Sequence, residues 1–349
     1  MSRLMELPLR QASPSLPAAA TSYVNTKPVR LRFLLGEIPL FTVALPLVVH
    51  KTHFTKLPNT TDVLSFSSTD LPSAAQGVLI RSHVVQQDLP RLSLFPDSIR
   101  YVPAQYQRYY IELRSSFADY LSKFSSKSRG TLHRKIRRFT AFSNGHVDWR
   151  AYRALEEMRE FYPLARKVSE LTYQERLLHT GLPNDDGFRA EIFDQASHDR
   201  ARGYLLFHNG QPIAYLLCVV EGTEILLYRY LGYDPQYQSW SPGTVLQYFV
   251  LEKLFAEGEI RIFDFTEGEG AQKRFLSTGS VRCADIYFFR RRPAILMTVV
   301  LHCVLQTVSQ VLVNALDRLG LKSRVKNFLR SQSARRRTYK KTATAYLLL

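Results

Sequence analysis

Apolar positions alternate between two spacings along this chain, and the alternation predicts its elements. Between residues 30 and 81 they fall in short runs rich in β-branched and aromatic residues: Arg30 to Leu35, Leu40 to Val49 and Gly77 to Arg81. Gly36-Glu37 separates the first two and predicts a hairpin. Thr52 to Pro72 is rich in Thr, Ser, Asn and Pro and predicts a loop. From Phe117 the period lengthens. Phe117, Tyr120, Leu121 and Phe124 recur at helical spacing. Leu132, Ile136 and Phe139 form the stripe of a second helix, for which Ser126 or Ser128 would serve as cap. Tyr152 to Val168 and Asn184 to Asp199 also carry helical patterns.

Strand spacing then returns. Gly203 to His208 and Gln211 to Val220 flank Asn209-Gly210, a strong hairpin signal because both residues tolerate the positive φ that the turn demands. Glu224 to Leu231 follows as a third strand. Ser241-Pro242-Gly243 leads into a helix from Thr244 to Ala256, and Ile260 to Phe265 reads as a strand ending in a glycine-rich turn. A short helix and a last strand, Ala284 to Arg290, complete a mixed α/β pattern. Ala294 to Leu316 holds no charge and is long enough to cross a bilayer. His302, Gln306, Gln310 and Asn314 recur every fourth residue within it, however, so one face is polar. That pattern fits an amphipathic helix packed on the domain, or lying at a membrane surface, better than a span.

Composition narrows the class. A hydrophobic fraction of 45% is that of a folded protein, and 349 residues suffice for two medium domains or one large one. Cys218, Cys283 and Cys303 lie in apolar stretches without metal-ligand spacing, so neither a zinc site nor a disulfide framework is expected. Residues 1–27 lack a signal-peptide core and read as a disordered leader, which with the cysteines points to the cytoplasm. The formal charge is +17, and nine of the cations fall after Gly320, where no acid occurs. Such a tail suits nucleic acid, an anionic membrane surface, or plain solvation. Lys127, Arg129, Arg134, Lys135, Arg137 and Arg138 crowd one helix, which reads as a solvated face or as a surface for an anionic substrate. No helix-turn-helix, RNA-binding or zinc-finger signature accompanies them.

Two segments carry candidate chemistry. A helix opening at Ser241-Pro242-Gly243 would offer unpaired N–H groups and the positive end of the helix dipole to a phosphate, with Ser241 as cap and Gly243 letting a ligand approach the backbone. The same triplet is also an ordinary helix start. Asp264 stands near the carboxyl end of a strand, where ligands of open α/β sheets collect, and Lys273 and Arg274 follow a flexible turn. An acidic loop capping a helix, with the cations solvated, is the plainer reading.

Taken in order, Tyr120 to Phe124 with Arg129 to Arg138, Gly232-Tyr233-Asp234-Pro235 through Ser241-Pro242-Gly243, and Asp264 through Lys273 resemble GNAT acyltransferases of bacterial cellulose and exopolysaccharide loci. That branch is itself similar to the Fem-type aminoacyltransferases of cell-wall synthesis. The resemblance runs from about Leu31 to Arg290. It implies tandem GNAT-like halves (28–115 and 116–290, the second better preserved) with a mixed, mostly antiparallel sheet flanked by helices. A leader (1–27) and an amphipathic helix with basic tail (291–349) lie outside them.

The resemblance further implies an acyl-CoA cosubstrate, acetyl-CoA or another, without metal. The pyrophosphate would lie at Ser241, Pro242, Gly243 and Thr244. Substrate would lie near Asp264 and Lys273, with Asp264 or Glu267 as base and Lys273 holding an anionic group. The family usually places Tyr before that Lys, whereas this chain has Gln272. The expected activity is acyl transfer to an amino group of a sugar, a lipid-linked sugar or another envelope precursor, in the cytoplasm or peripherally at the inner face of the membrane. Two other readings stand beside it: a Fem-type transferase that uses aminoacyl-tRNA, and a non-catalytic GNAT-fold binding module.

Overall fold

The computed structural model describes residues 26–35, 38–51, 71–172, 175, 181–268 and 270–318. Strands β1 (Thr26–Leu35) and β2 (Ile38–Lys51) pair antiparallel, as the run–turn–run pattern predicts; Gly36-Glu37 and most of the Thr52 to Pro72 loop lie outside the described residues. Then come β3 (Gly77–Val84), β4 (Leu92–Leu94), β5 (Ser98–Tyr101) and β6 (Gln105–Glu112), the last three without a counterpart in the sequence reading. Helix α1 (Phe117–Ser122) begins with a reciprocal capping box between Ser116 and Asp119. Helix α2 (Ser126–Phe142) is capped by Ser125, whose hydroxyl accepts from the Ser128 amide; Ser126 and Ser128 fall inside the helix.

The expected helix at Tyr152 divides. Strand β7 (Trp149–Tyr152) comes first, and helix α3 (Leu155–Leu171) starts three residues later. Tyr152 ends a short alternating run and its ring packs under the helix, so its burial mimics helical periodicity. Helix α4 (Asp186–Ser197) and strands β8 (Ala201–His208), β9 (Gln211–Glu221) and β10 (Ile225–Tyr233) follow. Both Asn209 and Gly210 have positive φ, as the hairpin requires. A 3-10 turn over Pro235–Trp240 leads to helix α5 (Pro242–Glu257), which Gly258 ends in the left-handed conformation. Strand β11 (Ile262–Asp264), helix α6 (Ala271–Leu276), strand β12 (Gly279–Arg290) and helix α7 (Pro293–Arg318) complete the order.

Contacts divide the described residues into two units: 26–107 with 281–318, and 108–280. The boundaries therefore differ from those expected at 115 and 290. The reason is strand pairing: β12 is antiparallel to both β3 and β5, so the chain returns to its first unit after the second is finished. In the first unit β1 and β2 are antiparallel, β2 and β3 parallel, and β4 and β5 antiparallel. Leu31, Phe33, Leu47, Leu79, Tyr101, Phe289 and Val299 meet in one of its two cores.

In the second unit the order is β6-β11-β10-β9-β8-β7, antiparallel except for β10 with β11. Its sheet is buried on both faces. One face packs on α5 through Leu216, Cys218, Val245, Leu246 and Phe263, the other on α3 and α4 through Phe161, Ala165, Ile192, Leu205 and Leu217. This explains why β8 and β9 read as continuous apolar runs without alternation.

Helix α7 packs on β1 with His302 and Gln306 of its polar stripe turned toward Tyr101, whereas Gln310 is exposed and the Asn314 side chain lies outside the described residues. His302 is 6% exposed. The Tyr101 hydroxyl meets its Nδ1 at 2.5 Å, and its Nε2 meets the Arg32 carbonyl at 3.0 Å.

Candidate functional site

The second unit holds one parallel pair among its described strands, and that pair is short. β10 and β11 match only over Ile225↔Ile262, Leu226↔Phe263 and Leu227↔Asp264. Beyond that point β11 stops, while β10 continues to Tyr233 through a bulge between Tyr228 and Tyr230 that leaves Arg229 outside its ladder with β9. A bulge kinks a strand and sharpens its twist. The two strands part at their carboxyl ends, the place where parallel sheets take ligands.

Asp264 closes the paired stretch. It is fully buried, and its carboxylate accepts from Arg108 Nε at 3.1 and 2.9 Å and from Arg108 Nη2 at 2.6 Å. A fourth bond, 2.7 Å, comes from the Thr266 amide. A carboxylate held this way by a buried guanidinium has its acceptor sites engaged, so the geometry gives Asp264 a positioning part and not that of a free base. Thr266 has φ 59, a left-handed conformation that turns the chain back after β11. Its hydroxyl donates to the Tyr228 carbonyl at 3.0 Å, replacing the next ladder bond between the parting strands.

Lys273 reaches this turn from α6. Its ammonium donates to the carbonyls of Phe265 and Glu267, each at 2.8 Å, and lies 5.7 Å from the centre of the Tyr228 ring. Burial lowers its pKa, opposed in part by the charges of Asp264 and Glu267. Lys273 therefore clamps the 265–267 turn. Burial raises the Tyr228 phenol above its ordinary range, so it is protonated at neutral pH. The Glu267 side chain is exposed on the same turn, and Glu269 lies outside the described residues.

The start of α5 forms the second cluster. Ser241 takes the left-handed conformation (φ 56) and makes no side-chain cap bond, so the expected cap is absent. Its carbonyl instead accepts from the amides of Thr244 (2.9 Å) and Val245 (3.1 Å). The backbone strain, about 1–2 kcal/mol for a residue with a Cβ, is borne where the 3-10 turn is redirected into the helix. Pro242 and Gly243 are buried. A Cβ on Gly243 would lie 3.2 Å from Leu231 Cδ2 and 3.4 Å from Tyr233 Cδ1. The missing side chain thus lets the helix approach β10.

Beside this helix start lies a cavity of about 280 Å³, lined by Thr131, Leu132 and Lys135 of α2, Thr244 of α5, and Gln272, Phe275 and Leu276 of α6. Of the four residues expected at the pyrophosphate, only Thr244 lines it. Lys135 and Thr131 come from the basic helix. Gln272, standing where the family usually has Tyr, hydrogen-bonds the buried Gln247. Because Gln272 and Lys273 are adjacent on α6, that helix joins the cavity to the Asp264 turn. Arg108 and Thr266 went unnoticed in the sequence; the lone charge of Arg108 in the aromatic run Tyr106–Ile111 was the available signal for the first.

Residues 126–274 match the family model for an acetyltransferase (GNAT) domain. The segment 126–274 is of the GNAT type. The matched segment runs from the start of α2 into α6 and so contains the parting strands, the α5 start and the cavity. No curated protein sequence matches the chain.

Solved structures similar to it include FemX, at 11% identity and TM-score 0.43, over 64% of this chain and 74% of that one. L-PGS from Bacillus licheniformis matches at 13% identity and TM-score 0.40, over 65% and 72%. A tandem GNAT protein from the clavulanic acid biosynthesis pathway matches at 14% and 0.36, over 63% and 66%. Such distant likeness gives no guide to substrate, and the GNAT assignment stands on the family model.

Proposed function

We propose that the GNAT domain transfers an acyl group from acyl-CoA to a primary amine. The observation that carries this reading is the cavity of about 280 Å³ beside the first turn of α5, whose lining includes Lys135, Thr131 and Thr244 as well as Leu132, Phe275 and Leu276, and where we place the pyrophosphate. These groups fit that anion: a cation for charge, hydroxyls for hydrogen bonds, and the positive end of a 16-residue helix. A CoA thioester would supply an acyl carbon already activated for attack.

The chain's own residues have three tasks. Lys135, Thr131 and Thr244 bind the donor. The Arg108–Asp264 pair and Lys273 hold the 265–267 turn against β10, fixing the width of the opening between the strands. Glu267, exposed on that turn, is the carboxylate to which we assign removal of the proton of the incoming amine, directly or through water. The acceptor we favour is an amino sugar or lipid-linked amino sugar, on the resemblance to exopolysaccharide-locus enzymes.

One observation favours a second reading. Helix α2 carries six Lys or Arg and no acid, and none of the six forms an ion pair among the described residues. A surface of that kind also suits an aminoacyl-tRNA donor. The test is a thiol-release assay with acetyl-CoA over a panel of amines. Acceptor-dependent release of free CoA supports the acyl-CoA reading. No release with any amine, together with salt-sensitive binding of tRNA, would replace it by the second.

A further inference from the structure

Seven large apolar side chains of α7 face away from the protein. Met297 is 73% exposed, Val311 61%, Val304 52%, Leu301 46%, Leu312 45%, Val308 43% and Val300 41%. Their spacing places them on a single stripe, about 22 Å long at about 1.5 Å per residue. Only 17% of the most apolar window of this helix is buried. Outside this stripe the helix is fastened to the first unit by polar bonds: on the inner face His302 to Tyr101 and to the Arg32 carbonyl, and along the flanks Arg91 to the exposed Thr307 hydroxyl at 3.2 Å and Ser309 to the Leu34 carbonyl at 2.9 Å. Beside Ser309 the β1–β2 hairpin exposes Leu34, Leu40 and Phe41, each between 40% and 47%. A water-soluble monomer seldom leaves so continuous an apolar strip in solvent.

We propose that this face of α7 docks the protein in the interfacial plane of an anionic lipid bilayer. The charge that adjoins it in the sequence selects that occupant. From Arg291 onward the sequence holds twelve Lys or Arg and a single acid, Asp317. Two copies meeting through α7 would bring these cations together, whereas anionic headgroups neutralise them. The hydrogen bonds along the inner face set the depth. A spanning helix would carry His302 and Gln306 into hydrocarbon and abandon their partners, while a helix lying flat keeps them and submerges only the apolar stripe. The proposal is independent of which acyl donor the GNAT domain uses. It places the enzyme where a lipid-linked acceptor would be presented.

Flotation of the full chain with vesicles tests it. The protein is expected to float with vesicles of phosphatidylcholine containing phosphatidylglycerol, at least tenfold better than with phosphatidylcholine alone. High salt should release it, since screening shortens from about 10 Å at 0.1 M to about 3 Å at 1 M. The variant Met297→Glu/Val304→Glu/Val311→Glu alters only exposed positions, so its circular dichroism should match the wild type while its flotation falls at least tenfold. A second variant, Arg335→Ala/Arg336→Ala/Arg337→Ala, leaves the helix intact and should weaken binding to anionic vesicles alone. Absence of flotation, equal flotation with neutral vesicles, or undiminished flotation of the triple Glu variant would overturn the proposal. So would a dimer, seen by sedimentation velocity, that the triple Glu variant dissociates. Retention in alkaline carbonate would mean a span, and would overturn it as well.

Discussion

The Arg108–Asp264 pair shows how a carboxylate at the end of a strand can be structural even where substrate is expected. Both side chains are nearly inaccessible, at 7% and 0% exposure. Removing one partner of a buried pair strands the other charge, at a cost of about 3–5 kcal/mol. Asp264→Ala should therefore lower the unfolding free energy by about that amount, and the Arg108→Met/Asp264→Leu double variant should recover part of the loss. Both tryptophans, Trp149 and Trp240, lie in the second unit, so urea unfolding followed by their fluorescence reports on the affected core. Unchanged stability in Asp264→Ala would mean that the carboxylate is not held as described, and would restore it as a candidate base. Lys273 differs in kind. It bonds two backbone carbonyls, so Lys273→Met should loosen the 265–267 turn and reduce turnover while leaving affinity for acetyl-CoA within about twofold. Measuring the two quantities on one preparation separates them.

At the scale of elements, two glycines predict opposite outcomes. Gly130 lies inside α2 with nothing within 4 Å of where a Cβ would stand, so Gly130→Ala should stabilise the protein by about 0.5–1 kcal/mol through helix propensity. Gly203 in β8 faces the Phe161 ring, which lies 2.7 Å from where a Cβ would stand. Gly203→Ala must push α3 off the sheet and should cost about 1–3 kcal/mol by overpacking. Thermal melts of both variants decide the pair.

The elements legible in the sequence were those with local signals: the Asn209-Gly210 hairpin, the apolar stripe of α2, and the Pro242 start of α5. Strands β4, β5 and β6 were not legible. β5 is Ser98-Ile99-Arg100-Tyr101, all buried, and it owes its strand state to pairing with β12, about 190 residues later. Nor does any local pattern show that Gly243 makes room for a neighbouring strand. The cavity was half legible, because Thr244 belonged to the expected helix start, whereas Lys135 was one of six cations on α2 and only packing singles it out.

For the whole molecule, acid should weaken the attachment of α7. Burial lowers the pKa of His302 from its ordinary value near 6.5, the hydrogen bond to the Arg32 carbonyl offsetting only part of this. Tyr101, facing it, is itself shifted upward by burial and remains a neutral donor. Above pH 6.5 the imidazole is neutral in both folded and unfolded chains. As pH falls below that value the unfolded chain takes up the proton first, so stability is lost between about 6.5 and the lowered folded value. His50 and His83, also lowered by burial, add in the same direction. The melting temperature should fall between pH 7.5 and 5.5, and His302→Gln should flatten that fall in part; an identical slope in the variant would exclude His302 as a contributor. The central claim, however, is that the cavity beside α5 receives the phosphates of an acyl-CoA, and a calorimetric titration with acetyl-CoA tests it most directly. Saturable binding is expected for the wild type, and a loss of tenfold or more, about 1.4 kcal/mol, in Lys135→Glu, with Arg137→Glu on the opposite face of α2 little changed. No saturable heat with the wild type, or equal affinity in Lys135→Glu, would contradict it.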